Sequence, residues 1–356
     1  MQKAPISALT LAGATIRTAE AAQTRNLSIR LLAVNLNRRF TMTCHNCRIE
    51  AAKAGKRPDG MQRYRCGTCG KTFSQAKDFG VFGHKQLDEA SALLALKLLV
   101  EGNSIRSTQR ISGLDKKTIM KLLLDAGEKC SALLTAKVRN VPVMDVQADE
   151  IWGFVGKKEG HKNPFKGDDM YVGDAWCFIG IERHTKLVLA FELGKRTETS
   201  TNRFMQKLAK ATHPDQPFQL TTDGLATYPS AVYRALGDRV DYAQHIKIYG
   251  QTPEGERRYS PAKVIGAEKK DIYGDPDTQR ICTSHIERQN GSLRQWCKRL
   301  TRLTYAFSKK WAHLKAALGL HFAYYNFCRV HSTIKQTPAM ASGLATRAWA
   351  LAELLA

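Results

Sequence analysis

Three acids in this chain stand where phosphodiester chemistry could use them. Asp149 closes an apolar, alternating segment over 143–152, Asp223 follows the apolar run 218–222 and precedes Gly224, and Glu287 opens a helix-forming stretch that begins near Ser284. Hydrolysis or transfer of a phosphodiester calls for two Mg²⁺ ions about 3.5–4 Å apart, one at the attacking and one at the leaving oxygen. Carboxylates are the natural ligands, because Mg²⁺ prefers hard oxygen donors. Two strand-end aspartates on neighbouring strands and a helix-borne glutamate could converge on such a pair. Asp145 and Glu150 are rivals by proximity. Period-2 alternation puts Asp145 on the face of Asp149 and Glu150 on the other, so Asp145 is the alternative kept. His285, two positions before Glu287, faces another direction on a helix.

A second chemistry lies near the N-terminus. Cys44-His-Asn-Cys47 and Cys66-Gly-Thr-Cys69 are two C-x-x-C pairs, and Gly67 and Gly70 suit tight turns. Tetrahedral zinc takes four thiolates from such knuckles, and metal binding can supply the folding energy of a segment too small to bury a core. A structural Zn²⁺ held by Cys44, Cys47, Cys66 and Cys69 is therefore expected, in a zinc ribbon over 41–80. His45 could stand in as a ligand, although its adjacency to Cys44 disfavours that. The remaining cysteines, 130, 177, 282, 297 and 328, read as scattered buried thiols.

The elements that must position these residues follow from pattern. An Ala/Leu-rich helix over 88–101 is followed by two short helical stretches, 104–112 and 116–124, hinged at Gly113. That spacing is helix-turn-helix grammar, assigned to 81–140. Asp115 would cap the second helix, Gly127 would end it, and Lys116, Lys117, Thr118 and Lys121 would face DNA. Strands are expected over 143–152, 175–183, 186–193, 218–222 and 240–246, with helices over 200–211 and 229–236, an irregular stretch to 284, and helix from 284 to 327. The fold class is α/β. Three strands, a helix and a further strand, with acids at those positions, give the order of an RNase H-like core with a mixed five-stranded sheet, assigned to 141–340. A C-terminal helix is placed over 341–356.

Charge names the partner. With 55 Lys+Arg against 32 Asp+Glu over 356 residues, the net charge is +23, which suits a polyanion. Residues 1–40 form a basic arm, with Lys3, Arg17, Arg25, Arg30, Arg38 and Arg39 against Glu20. On a continuous helix after Glu287, Arg294, Lys298 and Arg302 would share its flank and, with Arg288, hold DNA phosphates, while Trp296, Leu300, Leu303 and Phe307 form an apolar stripe. Trp152, Trp296 and Trp311 are expected in the core. The sequence contains no uninterrupted apolar run of about 18 residues, so no membrane association is expected. Nine cysteines, an odd number, suit a reducing cytoplasm.

The runs Asp149-Glu-Ile-Trp-Gly-Phe-Val155, Thr222-Asp-Gly224 and His285-Ile-Glu-Arg-Gln-Asn290, with Leu293-Arg294 and Phe307-Ser-Lys309, resemble the DDE transposases of the IS1 family. The resemblance covers roughly 41–340. It implies Asp149, Asp223 and Glu287 as catalytic Mg²⁺ (or Mn²⁺) ligands and double-stranded DNA, as terminal inverted repeats and target, as the partner. Cutting and joining paired ends would need at least a homodimer in a bacterial, nucleoid-associated setting. The run from Tyr325 to Pro338 also resembles the closing motif of retroviral-integrase-like transposases. One departure is the long spacer between Asp223 and Glu287, in which 247–282 reads as an insertion. Two other readings keep the same elements: an inactive zinc-ribbon and helix-turn-helix regulator, and an RNase H-like structure-specific nuclease without strand transfer.

Overall fold

The computed structural model describes residues 42–44, 46–58, 60–74, 87–250 and 263–355. The basic arm expected over 1–40, His45 and the 251–262 part of the expected insertion lie outside the described residues. The chain divides into two compact units, Met1–Asp78 and Phe79–Ala356.

In the first unit β1 (Met42–Thr43), β2 (Glu50–Lys56), β3 (Gln62–Arg65) and β4 (Thr72–Ser74) form an antiparallel sheet in that order. Among the described residues its apolar interior is small. Tyr64 and Ala51 are buried beside the cysteines, and Tyr64 stacks on Phe73 at 6.1 Å. So little burial cannot stabilise a sheet of this size alone, and a metal cross-link is the expected supplement.

The described part of the second unit begins with three helices, α1 (Glu89–Val100), α2 (Ile105–Ser112) and α3 (Lys116–Lys137). Each starts at a side-chain cap: Asp88 accepts from the Ser91 amide, Ser104 from Ser107 and Asp115 from Lys117. Gly113, in the left-handed region at φ 73°, ends α2. Gly127 does not end α3, which continues ten residues further to Lys137. Its missing side chain serves packing instead. A Cβ there would lie 2.2 Å from the Ala316 carbonyl oxygen, and one at Gly319 would lie 2.2 Å from Ser131 Oγ. Both glycines let α3 and α7 (Trp311–Phe327) cross closely. Residues from α1 and α3 share one core with the sheet that follows, so position 140 marks no break in packing.

Among the described residues that sheet has six strands, not five. β5 (Asp145–Val155), β6 (Gly173–Glu182), β7 (Val188–Gly194), β8 (Phe218–Thr222), β9 (Val240–Tyr249) and β10 (Val264–Tyr273) lie in the order β10-β9-β8-β5-β6-β7. β5 is antiparallel to β6 and parallel to β8, and β8 is parallel to β9. This mixed α/β order fits an RNase H-like core. The sixth strand, β10, pairs antiparallel with β9 and comes from the segment expected to be an irregular insertion. Its residues Glu268, Lys269, Lys270 and Asp271 are exposed, so no apolar alternation marks it, and charge protects the free edge.

Helices cover both faces. α4 (Glu198–Ala211) and α5 (Tyr228–Leu236) pack on one through Phe204 and Tyr228 against Phe178. α6 (Ser284–Trp296) and α7 pack on the other, where Phe322 meets Phe191 at 4.9 Å. The helix expected unbroken from 284 to 327 stops at Trp296. Cys297 is extended, Thr301 Oγ1 donates to the Arg294 carbonyl, Arg294 donates to the Leu300 carbonyl, and Leu300 is buried against Gly153. These bonds satisfy the helix end and turn the chain away. The C-terminal helix expected over 341–356 is confined to Leu351–Leu355, after a short turn of helix at Pro338–Ala341. No helix among the described residues is long and apolar enough to cross a membrane.

Candidate functional site

β5 is longer than β8, and that mismatch builds the site. The parallel register pairs Ala148 with Thr222, the last residue of β8, so Asp149 in mid-strand and Asp223 in the following turn come side by side. Asp149 therefore does not close its strand, which runs on to Val155. Asp223 Oδ1 accepts from the Leu225 amide, holding the turn.

Alternation turns Asp149 toward α6 and Glu150 toward α4 and α5, as expected. The carboxylates still meet. Oxygens of Asp149, Glu150 and Asp223 lie within 4.8 Å of one another, because Asp223 stands past the end of its strand, within reach of both sides. Asp145, the alternative kept from the sequence, is fully buried in an ion pair with Arg183 at 2.9 Å and takes no part in the cluster.

Burial, and then the neighbouring Asp223 and Glu150, push the Asp149 carboxyl up to about 7. Glu150 is also raised to about 7, by burial and Asp223, against the opposing pull of Arg196. Burial raises Asp223 too. Like charges confined together disfavour full ionisation, and a cation between them reverses that. Each carboxylate is also held in place. Asn290 Nδ2 donates to Asp149 Oδ2 at 2.9 Å, Arg196 Nε donates to Glu150 Oε1 at 2.8 Å, and the Tyr228 hydroxyl donates to Glu150 Oε2 at 3.2 Å.

Glu287 sits in the first turn of α6 and lines the same cleft of about 310 Å³ as Asp149, Asp223, Arg196 and His245. Its carboxylate pairs with Lys247 of β9 and accepts from Thr283 Oγ1, outside the tight cluster of three. Gln147, buried on β5 two residues before Asp149, positions the helix. Its Oε1 accepts the His285 and Ile286 amides at 3.0 and 3.1 Å, pinning the start of α6 to the strand that carries Asp149. His285 turns away from the cleft, its Nδ1 3.1 Å from Lys186 Nζ.

Gln147, Arg196, Lys247 and Asn290 were not singled out in the sequence. Asn290 had a signal: it falls three residues after Glu287, on the same helical face. Lys247 and Arg196 had none, because their places depend on how separate strands meet.

The cations expected to hold DNA are only partly gathered. Lys116, Lys117 and Lys121 are exposed along the start of α3, with Thr118 half-buried beside them, and Arg288 is exposed on α6. Arg294, Lys298 and Arg302 do not share one helical flank, since α6 ends before two of them. Arg294 is tied to the Leu300 carbonyl, and burial pulls its guanidinium down to about 10. Lys298 lies in a short 3-10 turn and Arg302 in the exposed loop after it. Of Trp152, Trp296 and Trp311, expected in the core, Trp311 packs against it, and all three are half-buried.

In the first unit the sulfurs of Cys44, Cys47, Cys66 and Cys69 lie within 4.8 Å of one another, with Cys44 and Cys69 3.6 Å apart. Zn–S bonds of about 2.3 Å in a tetrahedron place sulfurs roughly 3.8 Å apart, so the cluster is compatible with a zinc ribbon. The two knuckles match. The amide of Arg48 donates to the Cys44 carbonyl as that of Gly70 does to Cys66, and both Arg48 and Gly70 have positive φ.

With this geometry in place, comparison with known proteins bears on the class. A family model for transposases of the IS240 type (DDE_Tnp_IS240), described as a DDE domain, matches residues 165–264. That stretch contains Asp223 and most of the sheet, and the match supports a DDE transposase domain in this chain. A search of curated proteins finds no match. Among solved structures, a piggyBac transposase synaptic complex with hairpin DNA is 12% identical, with 79% of this chain and 72% of that chain covered and a TM-score of 0.38. A pre-cleavage Mos1 transpososome is 12% identical, covering 48% of this chain and 62% of that one, at a TM-score of 0.19. The Mos1 paired-end complex with the left transposon end is 14% identical, with coverages of 48% and 61% and a TM-score of 0.19.

Proposed function

We propose that the protein is a transposase that binds insertion-sequence ends and carries out metal-dependent DNA cleavage and strand transfer. The observation that carries this reading is the meeting of Asp149, Asp223 and Glu287 on one cleft of a mixed sheet, within a chain that matches a DDE domain. An all-carboxylate donor set fits Mg²⁺ or Mn²⁺. Such ions, when bound, would activate an attacking oxygen and hold a leaving one. Asp149, Asp223 and Glu287 are the proposed ligands, and Glu150 stands close enough to share them. The remaining groups position: Asn290 aims Asp149, Gln147 seats α6, and Arg196 fixes Glu150 while leaving part of its guanidinium open to the cleft.

The partners follow from this reading. Double-stranded DNA would be met by Lys116, Lys117, Thr118 and Lys121 on the helix-turn-helix, and by Arg288 beside the cleft. Arg302 would add charge from its loop, and Lys298 more weakly. A structural zinc at the four cysteines would order the first unit. Joining paired ends implies a homodimer or higher assembly on DNA. The more specific IS1 resemblance rests on the motif words around the three acids.

The test is strand transfer of a labelled, pre-cut element end into plasmid DNA, with Mg²⁺ or Mn²⁺. The wild type should join the end, and Glu287→Gln should bind it equally well without joining. Cleavage without joining would favour a nuclease, and binding alone in both metals would favour a regulator.

A further inference from the structure

On the face of β5 that carries Glu150, the next two residues in alternation are Trp152 and Phe154. Trp152 is paired in register with Trp176 of β6. The ring of Phe154 lies 5.7 Å from Trp152 and 4.5 Å from Phe307, which the loop after α6 brings alongside by joining Ser308 to the end of β5. All four rings are half-buried, and of them Trp176 also packs against the core. The helices on this face make their aromatic contacts further along the sheet, at Phe178.

Cations stand at both ends of the row. Arg196 lies over the Trp176 ring at 4.8 Å, and the same guanidinium bonds Glu150 and reaches within 3.9 Å of Asp223. At the far end the Lys309 ammonium lies 3.1 Å from the Phe307 ring centre. The row thus begins at the carboxylate cluster and runs outward from it. Asp174, opposite Phe154, is an acid within it and would direct phosphates to the two ends.

A core would bury such rings, and a surface that only held duplex phosphates would have no use for them. Aromatic side chains in a row, flanked by cations, are what single-stranded DNA binds: bases stack on the rings whatever their sequence, and the backbone follows the charge. Paired bases inside a duplex offer no free face. We propose that Trp152, Trp176, Phe154 and Phe307 form a stacking platform for unpaired nucleobases next to the phosphate held in the cleft, with Arg196 and Lys309 on the strand's phosphates. The proposal rests on reading the cleft as a DNA-cutting site, and adds that the strand is unpaired beside it.

The experiment compares a blunt duplex with the same duplex carrying a six-nucleotide single-stranded extension that contains 2-aminopurine, both bound to the full chain in Ca²⁺. The wild type should bind the extended duplex more tightly by about tenfold, the scale of a base or two stacking on aromatic rings, with 2-aminopurine fluorescence quenched. Trp152→Leu should lose the preference and the quenching while keeping its affinity for blunt duplex, and Trp152→Phe should restore much of both. Phe307→Leu repeats the test from the loop without altering the sheet. A wild type that binds both duplexes equally, or leucine variants that keep the preference, would overturn the platform and leave the transposase reading standing. A wild type that binds neither duplex would overturn both.

Discussion

The crowding of carboxylates around Asp149 should make the metal-free protein less stable than a variant that has lost one of them. The change is Asp149→Asn, which keeps the shape and an oxygen for the Asn290 amide. The Asp149 carboxyl stands near 7 in the folded chain against about 3.9 in an unfolded one. Ionising it in the fold therefore costs up to about 4 kcal/mol at pH 8, at roughly 1.4 kcal/mol per pH unit. Relaxation and the shared repulsion of three acids reduce what one substitution recovers, to about 2 kcal/mol. The sign follows from linkage. Between about pH 4 and 7 the folded chain binds more protons at this site than the unfolded chain, so stability falls as pH rises through that window and the penalty is complete above it. Asp149→Asn should thus melt higher than wild type at pH 8 in buffer free of Mg²⁺ and Mn²⁺. The gap should shrink at pH 5 and close near pH 4. Millimolar Mg²⁺ should raise the melting temperature of the wild type and not of the variant, because only the wild type keeps the full site. A wild type more stable than the variant at pH 8 without metal, or a gap that widens on acidification, would refute the reasoning.

Other outcomes test the packing and the first unit. Gly127→Ala should lower stability by about 1–2 kcal/mol in urea titration: the new methyl meets the Ala316 backbone, and the overpacking cost outweighs a helix-propensity gain of ~1 kcal/mol. A more stable variant would mean that α3 and α7 do not cross there. Asn326→Leu should cost about 2–4 kcal/mol, since it strips the Val188 amide and carbonyl of their buried partner at 3.0 and 2.9 Å; an unchanged urea midpoint would count against that contact. Metal analysis of the purified chain should find one zinc per chain, abolished in Cys66→Ser, and a zinc content unaffected by that change would exclude the four-cysteine site.

The features legible in the sequence are those with a local physical signature. Asp115 capping α3, Gly113 ending α2 and the apolar strands β5 to β8 are written in caps, left-handed turns and alternation. Each needs only a few neighbouring residues to decide it. β10 escaped because its middle, Glu268 to Asp271, is exposed and charged and carries no apolar alternation, while only its end packs inward through Ile272 and Tyr273. Gly127 misled because glycine inside a helix usually weakens it, and the need for one came from a helix almost two hundred residues away. The helix after Glu287 misled for a similar reason. Residues 297–310 hold no proline or glycine, and what stops α6 is the burial of Leu300 against Gly153 of β5. Alternation placed Glu150 on the opposite face of β5 and led to its being set aside in favour of Asp145, yet it reached the cluster, because Asp223 belongs to a turn and obeys no strand face.

The same residues show why this sheet suits such a site. A buried set of acids can be held close only if the scaffold resists their repulsion, and here the resistance comes from parts remote in sequence. The β5–β8 register fixes Asp149 beside Asp223 through backbone bonds that no side-chain charge can loosen. Gln147 fastens the start of α6 two residues from Asp149, so Glu287 is placed by the strand that holds its partner acid. Lys247 and Arg196 then supply opposite charge from β9 and from the turn before α4. They are unequal in this. Arg196 binds Glu150 at 2.6 Å through a carboxylate almost wholly buried, where releasing it would strand a charge. Lys247 holds a Glu287 carboxylate about one-third exposed, where water can replace it at little cost. Glu287 is therefore held less tightly than Glu150, on a helix whose first turn is pinned to β5.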